Sequence, residues 1–95
     1  MSTDPDVHRL RERLTENDVA IVAAVNARLK LVAELKRVKQ ERGLDFVDPQ
    51  REQWLREHLA EANAGPLSPA ALDELVAFLL DVTKREVYAA ASPRP

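Results

Sequence analysis

The chain contains no cysteine, which rules out disulfides and thiolate metal sites and leaves redox chemistry silent on compartment. Glycine is nearly as scarce, at two residues, and aromatic side chains make up 4%. That shortage fits packed Leu, Val and Ala helices better than sheets. No stretch approaches the ~20 apolar residues of a membrane span. The opening MSTDPDVHRLRER has no apolar segment of the secretory kind, so the expectation is a soluble cytoplasmic protein. Neither sign of charge dominates: 14 basic and 16 acidic residues leave a net charge of -2. This argues against a general binder of nucleic acid or of anionic membranes, so any basic site is local. A hydrophobic content of 45% over 95 residues suffices for the core of one domain.

What the chain does have is proline set behind capping residues. Asp4-Pro5-Asp6, Asp48-Pro49 and Ser68-Pro69 each offer an N-cap followed by proline at the first helical position. They predict three helices and an all-α fold. The first runs to about Arg42, where Gly43 is a natural C′ residue behind the basic Lys39 and Arg42. The apolar members of the link Gly43-Leu44-Asp45-Phe46-Val47 are expected to fold back onto the core. The second helix extends to roughly Asn63 with Trp54, Leu55, Leu59 and Ala62 inward, and Asn63-Ala64-Gly65-Pro66 breaks it. The third carries Leu72, Leu75, Val76, Leu79, Leu80, Thr83 and Val87 at helical spacing. Residues 1–95 read as a single domain with frayed ends at 1–6 and 91–95. No solenoid-scale repeat or low-complexity segment is visible.

A seven-residue repeat can be written through the first helix. One seam position falls on Leu14, Ile21, Arg28 and Leu35, the other on Arg11, Asp18, Val25, Val32 and Lys39. Arg11, Arg28 and Lys39 are cations on an apolar stripe, where each costs several kcal/mol, on the order of 3–5, unless an anion meets it. A negatively charged ligand is the expected counterpart. A helix of roughly 35 residues would be ~50 Å long, against a radius of gyration near ~13 Å for a compact domain of ~100 residues. The two shorter helices cannot cover it. An antiparallel, intertwined homodimer with two-fold symmetry is the simplest cover, and capped second and third helices favour a closed bundle over an open coiled coil. Arg28 and Lys39 lie three turns apart on one face, ~16 Å, within reach of the two ends of one small molecule. Arg11 is another ~25 Å along and must come from the second chain.

In this order and spacing, Leu10-Arg11-Glu12, Asn26-Ala27-Arg28, Lys36-Arg37-Val38-Lys39, Val47-Asp48-Pro49-Gln50-Arg51-Glu52 and Asn63-Ala64-Gly65-Pro66-Leu67 form a fairly specific signature. It covers nearly the whole chain and resembles the all-helical chorismate mutases, both free-standing enzymes and the domain fused to the first enzyme of the shikimate pathway. The resemblance implies a Claisen rearrangement of chorismate to prephenate with no cofactor, no metal and no covalent intermediate. It also implies two composite sites per homodimer. Arg28 and the partner's Arg11 would clamp the two carboxylates, holding a near-attack geometry. Lys39 would face the ether oxygen, where a fixed ammonium stabilises charge present mainly in the transition state. Asp48 and Glu52 would hold the ring hydroxyl, with Arg51 supporting the ring side.

The third helix departs from that pattern. The family places a small hydroxyl residue there and, four residues later, a Gln or Glu that joins the lysine at the ether oxygen. Here Thr83 and Val87 fall at those positions, and a valine donates no hydrogen bond. A slow enzyme, a substitute donor or a related substrate would each follow. Glu86 is next to Val87 but about 100° round the helix, so its entry would need a local register shift. Other roles compete for these residues. Arg28 can snorkel, Lys39 can compensate the helix dipole, and Asp48 is first of all an N-cap. Arg51 and Glu52 can form a solvated first turn, Arg11 can pair with Glu12, Thr15 or Glu16, and Asp18 can form an interchain ion pair or lie at the rim. His8 and His58 read as surface residues without metal spacing, and Trp54 as core. The enzymatic alternatives are isochorismate pyruvate lyase and aminodeoxychorismate mutase. The non-enzymatic one is a weakly catalytic dimeric module serving a shikimate-pathway enzyme as partner.

Overall fold

The computed structural model describes residues 4–88, and three helices account for most of them. Helix α1 spans Pro5–Glu41, α2 Pro49–Ala62 and α3 Pro69–Thr83; a π turn, Lys84–Tyr88, follows α3 directly. Each of the three helices opens on the anticipated proline. Asp4 Oδ1 accepts from the amide of Asp6 at 2.8 Å, Asp48 Oδ1 from that of Arg51 at 3.1 Å, and Ser68 Oγ from that of Ala71 at 3.1 Å. Each cap satisfies an amide that no preceding turn can reach. Asp4 therefore caps α1 and Pro5 and Asp6 are already helical, within the stretch expected to fray. The remaining expected frayed residues, 1–3 and 91–95, lie outside the described residues.

Helix α1 stops at a backbone device. The Leu44 amide donates to the Lys39 carbonyl at 2.9 Å and the Gly43 amide to the Gln40 carbonyl at 3.3 Å, with Gly43 at φ +66°. This Schellman arrangement satisfies two orphan carbonyls and turns the chain back. Of the link that follows, only Phe46 is half-buried; Leu44 and Val47 are exposed, because the loop is too short to seat three apolar side chains at once.

By its contacts the chain divides into Met1–Leu31 and Val32–Pro95. Within the first, α1 presents Leu10, Leu14, Val19, Ile21 and Val22 to solvent. Within the second, α2 and α3 pack together and Arg56 pairs with Asp73 at 3.1 Å across them. The core there is small: Val76, Leu80 and Val87 are buried, together with Thr83 and Lys36. Three residues expected to face inward are exposed. Trp54 is 46% exposed and stacks on His58 at 4.7 Å, and Leu75 also faces solvent, because no described segment of this chain lies over either. Ala62 is exposed too, while Leu55 and Leu59 are half-buried.

Gly43 supplies a test of the α1 stop. A Cβ at this position would meet nothing within 4 Å, so the penalty for a side chain is purely conformational. Gly43→Ala is expected to lower stability by about 1–2 kcal/mol through its left-handed φ, and Gly43→Asn by less. Denaturant unfolding at fixed protein concentration reads the difference.

Candidate functional site

The reversal after α1 brings a cation and carboxylates to one hollow. A cleft of about 360 Å³ is lined by Lys39, Leu44, Asp45, Val47, Asp48 and Pro49. Lys39 reaches it from the last turn of α1, and Asp48 from the N-cap of α2, where its side chain is oriented by the bond from the Arg51 amide. A second hollow of about 310 Å³, at the turn between α2 and α3, is lined by Ala60, Asn63, Ala64, Gly65, Leu67, Pro69 and Leu72. It has no charged side chain and so offers nothing to hold a charged ligand by ion pairing. Of these two hollows, the Lys39 cleft is the one that carries charged side chains, one lysine and two aspartates.

Behind Lys39 sits a hydrogen-bond hub. Lys39 Nζ donates to the Phe46 carbonyl at 3.3 Å, and the Tyr88 hydroxyl donates to the same oxygen at 3.3 Å. The Phe46 and Tyr88 rings stack with centroids 6.0 Å apart. Lys36, one turn before Lys39 and only 6% exposed, places its ammonium 5.4 Å from the Phe46 ring centre and 5.7 Å from that of Tyr88. Its Nζ donates to the Val87 carbonyl at 2.9 Å and to the Tyr88 carbonyl at 3.4 Å. Two carbonyl dipoles and two ring faces offset the desolvation of that charge. Lys36 thereby ties the end of the third helix to the end of the first.

On the α2 side, Glu52 is half-buried and its Oε1 receives Lys84 Nζ at 3.2 Å. Arg51 lays its guanidinium over the Trp54 ring at 4.2 Å. The outcome for the third helix is mixed. Thr83 is buried and its hydroxyl donates to the Leu79 carbonyl at 2.8 Å. Val87 is inward, at 8% exposure, and Glu86 remains exposed even though the π turn is itself a local change of register.

In Met1–Leu31, Arg28 is half-buried on α1, while Arg11 and Asp18 are exposed. The Thr15 hydroxyl bonds the Arg11 backbone carbonyl at 3.0 Å. His8 pairs with Glu12 at 3.0 Å on the surface. No group of His, Cys, Asp or Glu suited to a metal ion occurs among the described residues. None of their helices is long and apolar enough to cross a membrane.

Sequence reasoning gave Lys36 and Tyr88 no role of their own and read Phe46 only as an apolar member of the link. One signal was available: Lys36 precedes Lys39 by three residues, a spacing that puts two helical side chains on one face. Nothing in the apolar spacing announces the π turn, whose last two carbonyls Lys36 holds.

The family described as chorismate mutase type II matches residues 10–87. Two solved structures from Thermus thermophilus share the fold. Its chorismate mutase in form II superposes with a TM-score of 0.82 at 24% identity, covering 87% of this chain and 94% of that one. Form I gives a TM-score of 0.79 at 26% identity, covering 82% and 98%. Among curated proteins, nothing matches.

Lys36→Met keeps most of the stem and removes the ammonium. It is expected to cost about 1.5–3 kcal/mol, the usual worth of hydrogen bonds made by a charged group, in denaturant unfolding at fixed protein concentration. Near-UV circular dichroism should change as the Tyr88 ring loses its anchor.

Proposed function

The chain belongs to the type II chorismate mutase family, and from that premise we propose that it rearranges chorismate to prephenate without cofactor, metal or covalent intermediate. The observation that carries this reading is the extent of the family match, residues 10–87, which contains Arg11, Arg28, Lys39, Asp48, Arg51 and Glu52. The Lys39 cleft adds support, since Lys39 and Asp48 line one hollow.

The chemistry asks for little besides position and charge. As the ether C–O bond breaks, a C–C bond forms within the same molecule, with no net proton transfer. The barrier falls when the flexible enolpyruvyl group is held over the ring, and when the ether oxygen meets a donor as it gains negative charge. We assign the carboxylate clamps to Arg28 and to Arg11 of a second copy, and the ether-oxygen donor to Lys39. The ring hydroxyl goes to Asp48 and Glu52. Lys84 engages Oε1 of Glu52, and Oε2 is the acceptor for the hydroxyl. Arg51, its guanidinium plane fixed on Trp54, bounds the ring side.

The second copy is part of the proposal. Leu10, Leu14 and Ile21 lie 50–60% exposed on α1, and such a stripe on a soluble chain calls for a partner. An antiparallel homodimer covers it and supplies Arg11 to the other chain's site.

Two experiments test this reading. Purified protein incubated with chorismate, isochorismate and aminodeoxychorismate should convert chorismate to prephenate. Turnover of only one of the others would reassign the substrate, and turnover of none, alone or with a shikimate-pathway enzyme, would leave a non-catalytic module. Lys39→Ala should lower kcat by about 10²–10³ with helical content intact, the usual effect of losing one transition-state donor. For the composite site, Arg11→Ala and Lys39→Ala proteins, each strongly impaired alone, should recover turnover when unfolded and refolded together. A mixed dimer keeps one site with both residues. No recovery, or a monomer in sedimentation at micromolar concentration, would refute the shared site.

A further inference from the structure

We propose that the Tyr88 hydroxyl is the second hydrogen-bond donor at the ether oxygen, beside Lys39, taking the place that Val87 cannot fill. The inference rests on the chorismate mutase reading and names a catalytic residue that reading leaves open.

The first observation is one of register. In an α-helix the residue stacked one turn beyond Thr83 would be Val87. From Lys84 to Tyr88, however, the backbone is a π turn, in which each turn takes in one more residue. Tyr88, five positions beyond Thr83, thus occupies the axial place that four positions would reach in an α-helix. Val87 is rotated into the core at 8% exposure. The polar function missing at Val87 reappears one residue later.

The second observation is convergence. Tyr88 and Lys39 both donate to one oxygen, the Phe46 carbonyl, at 3.3 Å each. Two donors sharing one acceptor are already arranged to meet a single oxygen atom of a ligand. While they rest on the carbonyl, neither is left unsatisfied. An amide oxygen is a neutral acceptor, whereas the ether oxygen of the rearranging substrate gains negative charge. Exchange from one to the other therefore favours the transition state over the ground state.

The third is orientation. The Tyr88 ring stacks on Phe46, and Lys36 holds the Val87 and Tyr88 carbonyls. Few torsions are left to order when substrate binds. Lys36 is a positioning residue here, acting through Tyr88. The step involves no covalent change at Tyr88: the phenol donates a hydrogen bond and keeps its proton.

Tyr88→Phe in the full-length chain is the test, since it retains the ring stack and the face presented to Lys36 and deletes only the hydroxyl. With chorismate as substrate, kcat should fall by about 10²-fold while KM changes little, as for other single transition-state donors. The thermal midpoint should stay near that of the parent protein. A parent-like kcat in Tyr88→Phe overturns the assignment while leaving the chorismate mutase reading standing. A parent protein inert toward chorismate overturns that reading and this one with it. Val87→Gln is the second arm, read for gain: an increase of about tenfold or more in kcat, roughly 1.4 kcal/mol of barrier, would put the vacant donor position at 87 and overturn the proposal. No gain is expected, because that side chain faces the core.

Discussion

Lys36 carries a full charge into a region where no carboxylate meets it among its described contacts, and the surrounding structure is organised by how that charge is accommodated. Its ammonium takes the carbonyl oxygens of Val87 and Tyr88 and the faces of Phe46 and Tyr88. Carbonyls at the end of a helix carry the negative pole of the backbone dipoles, so a cation there is favoured in proportion to how little water screens it. Three separate segments depend on this one group: the last turns of α1, the link that carries Phe46, and the π turn after α3.

The same arrangement is built onto the π turn. An added residue in a helical turn weakens local hydrogen-bond geometry and persists only where something outside the helix offsets that loss. Two carbonyls engaged by one ammonium, and an aromatic ring placed against another, supply the offset. The turn lets Val87 remain in a core that needs it, given how few side chains are buried there. It also sends the next residue toward the end of α1. Packing and polar function, which compete for one position in an ordinary helix, are separated by one residue here.

How much of this the sequence discloses depends on the range of the interaction. The starts of all three helices, at Pro5, Pro49 and Pro69, and the stop at Gly43 were legible because capping is local: a side chain reaches an amide two or three residues away. The all-α class and the long first helix follow from the same punctuation. Lys39 and Asp48, which line one cleft, were brought together in the sequence only by the family resemblance. What periodicity could not convey was which apolar residues find cover. Trp54 and Leu75 sit at apolar spacing yet face solvent, because burial depends on what lies opposite and helical phase does not report it. The bonds between Lys36 and residues 87 and 88 span about half the chain, and no local rule anticipates them.

Misplaced cations on α1 therefore have two physical explanations in one molecule. Lys36 lies one position beyond the apolar seam and is satisfied from within, by carbonyls and rings of its own chain. Lys39, a single turn further along, is only half-buried and holds a backbone oxygen at 3.3 Å, a longer bond than the 2.9 Å from Lys36 to Val87. Of the two ammoniums, Lys39 is the one whose partner is easier to exchange, since a long bond to a neutral amide gives up less when an anionic oxygen replaces it. The division of labour follows from burial. An enclosed charge fixes structure, while under the proposed function a neighbour at the rim, backed by that fixed structure, serves a ligand whose charge appears during reaction.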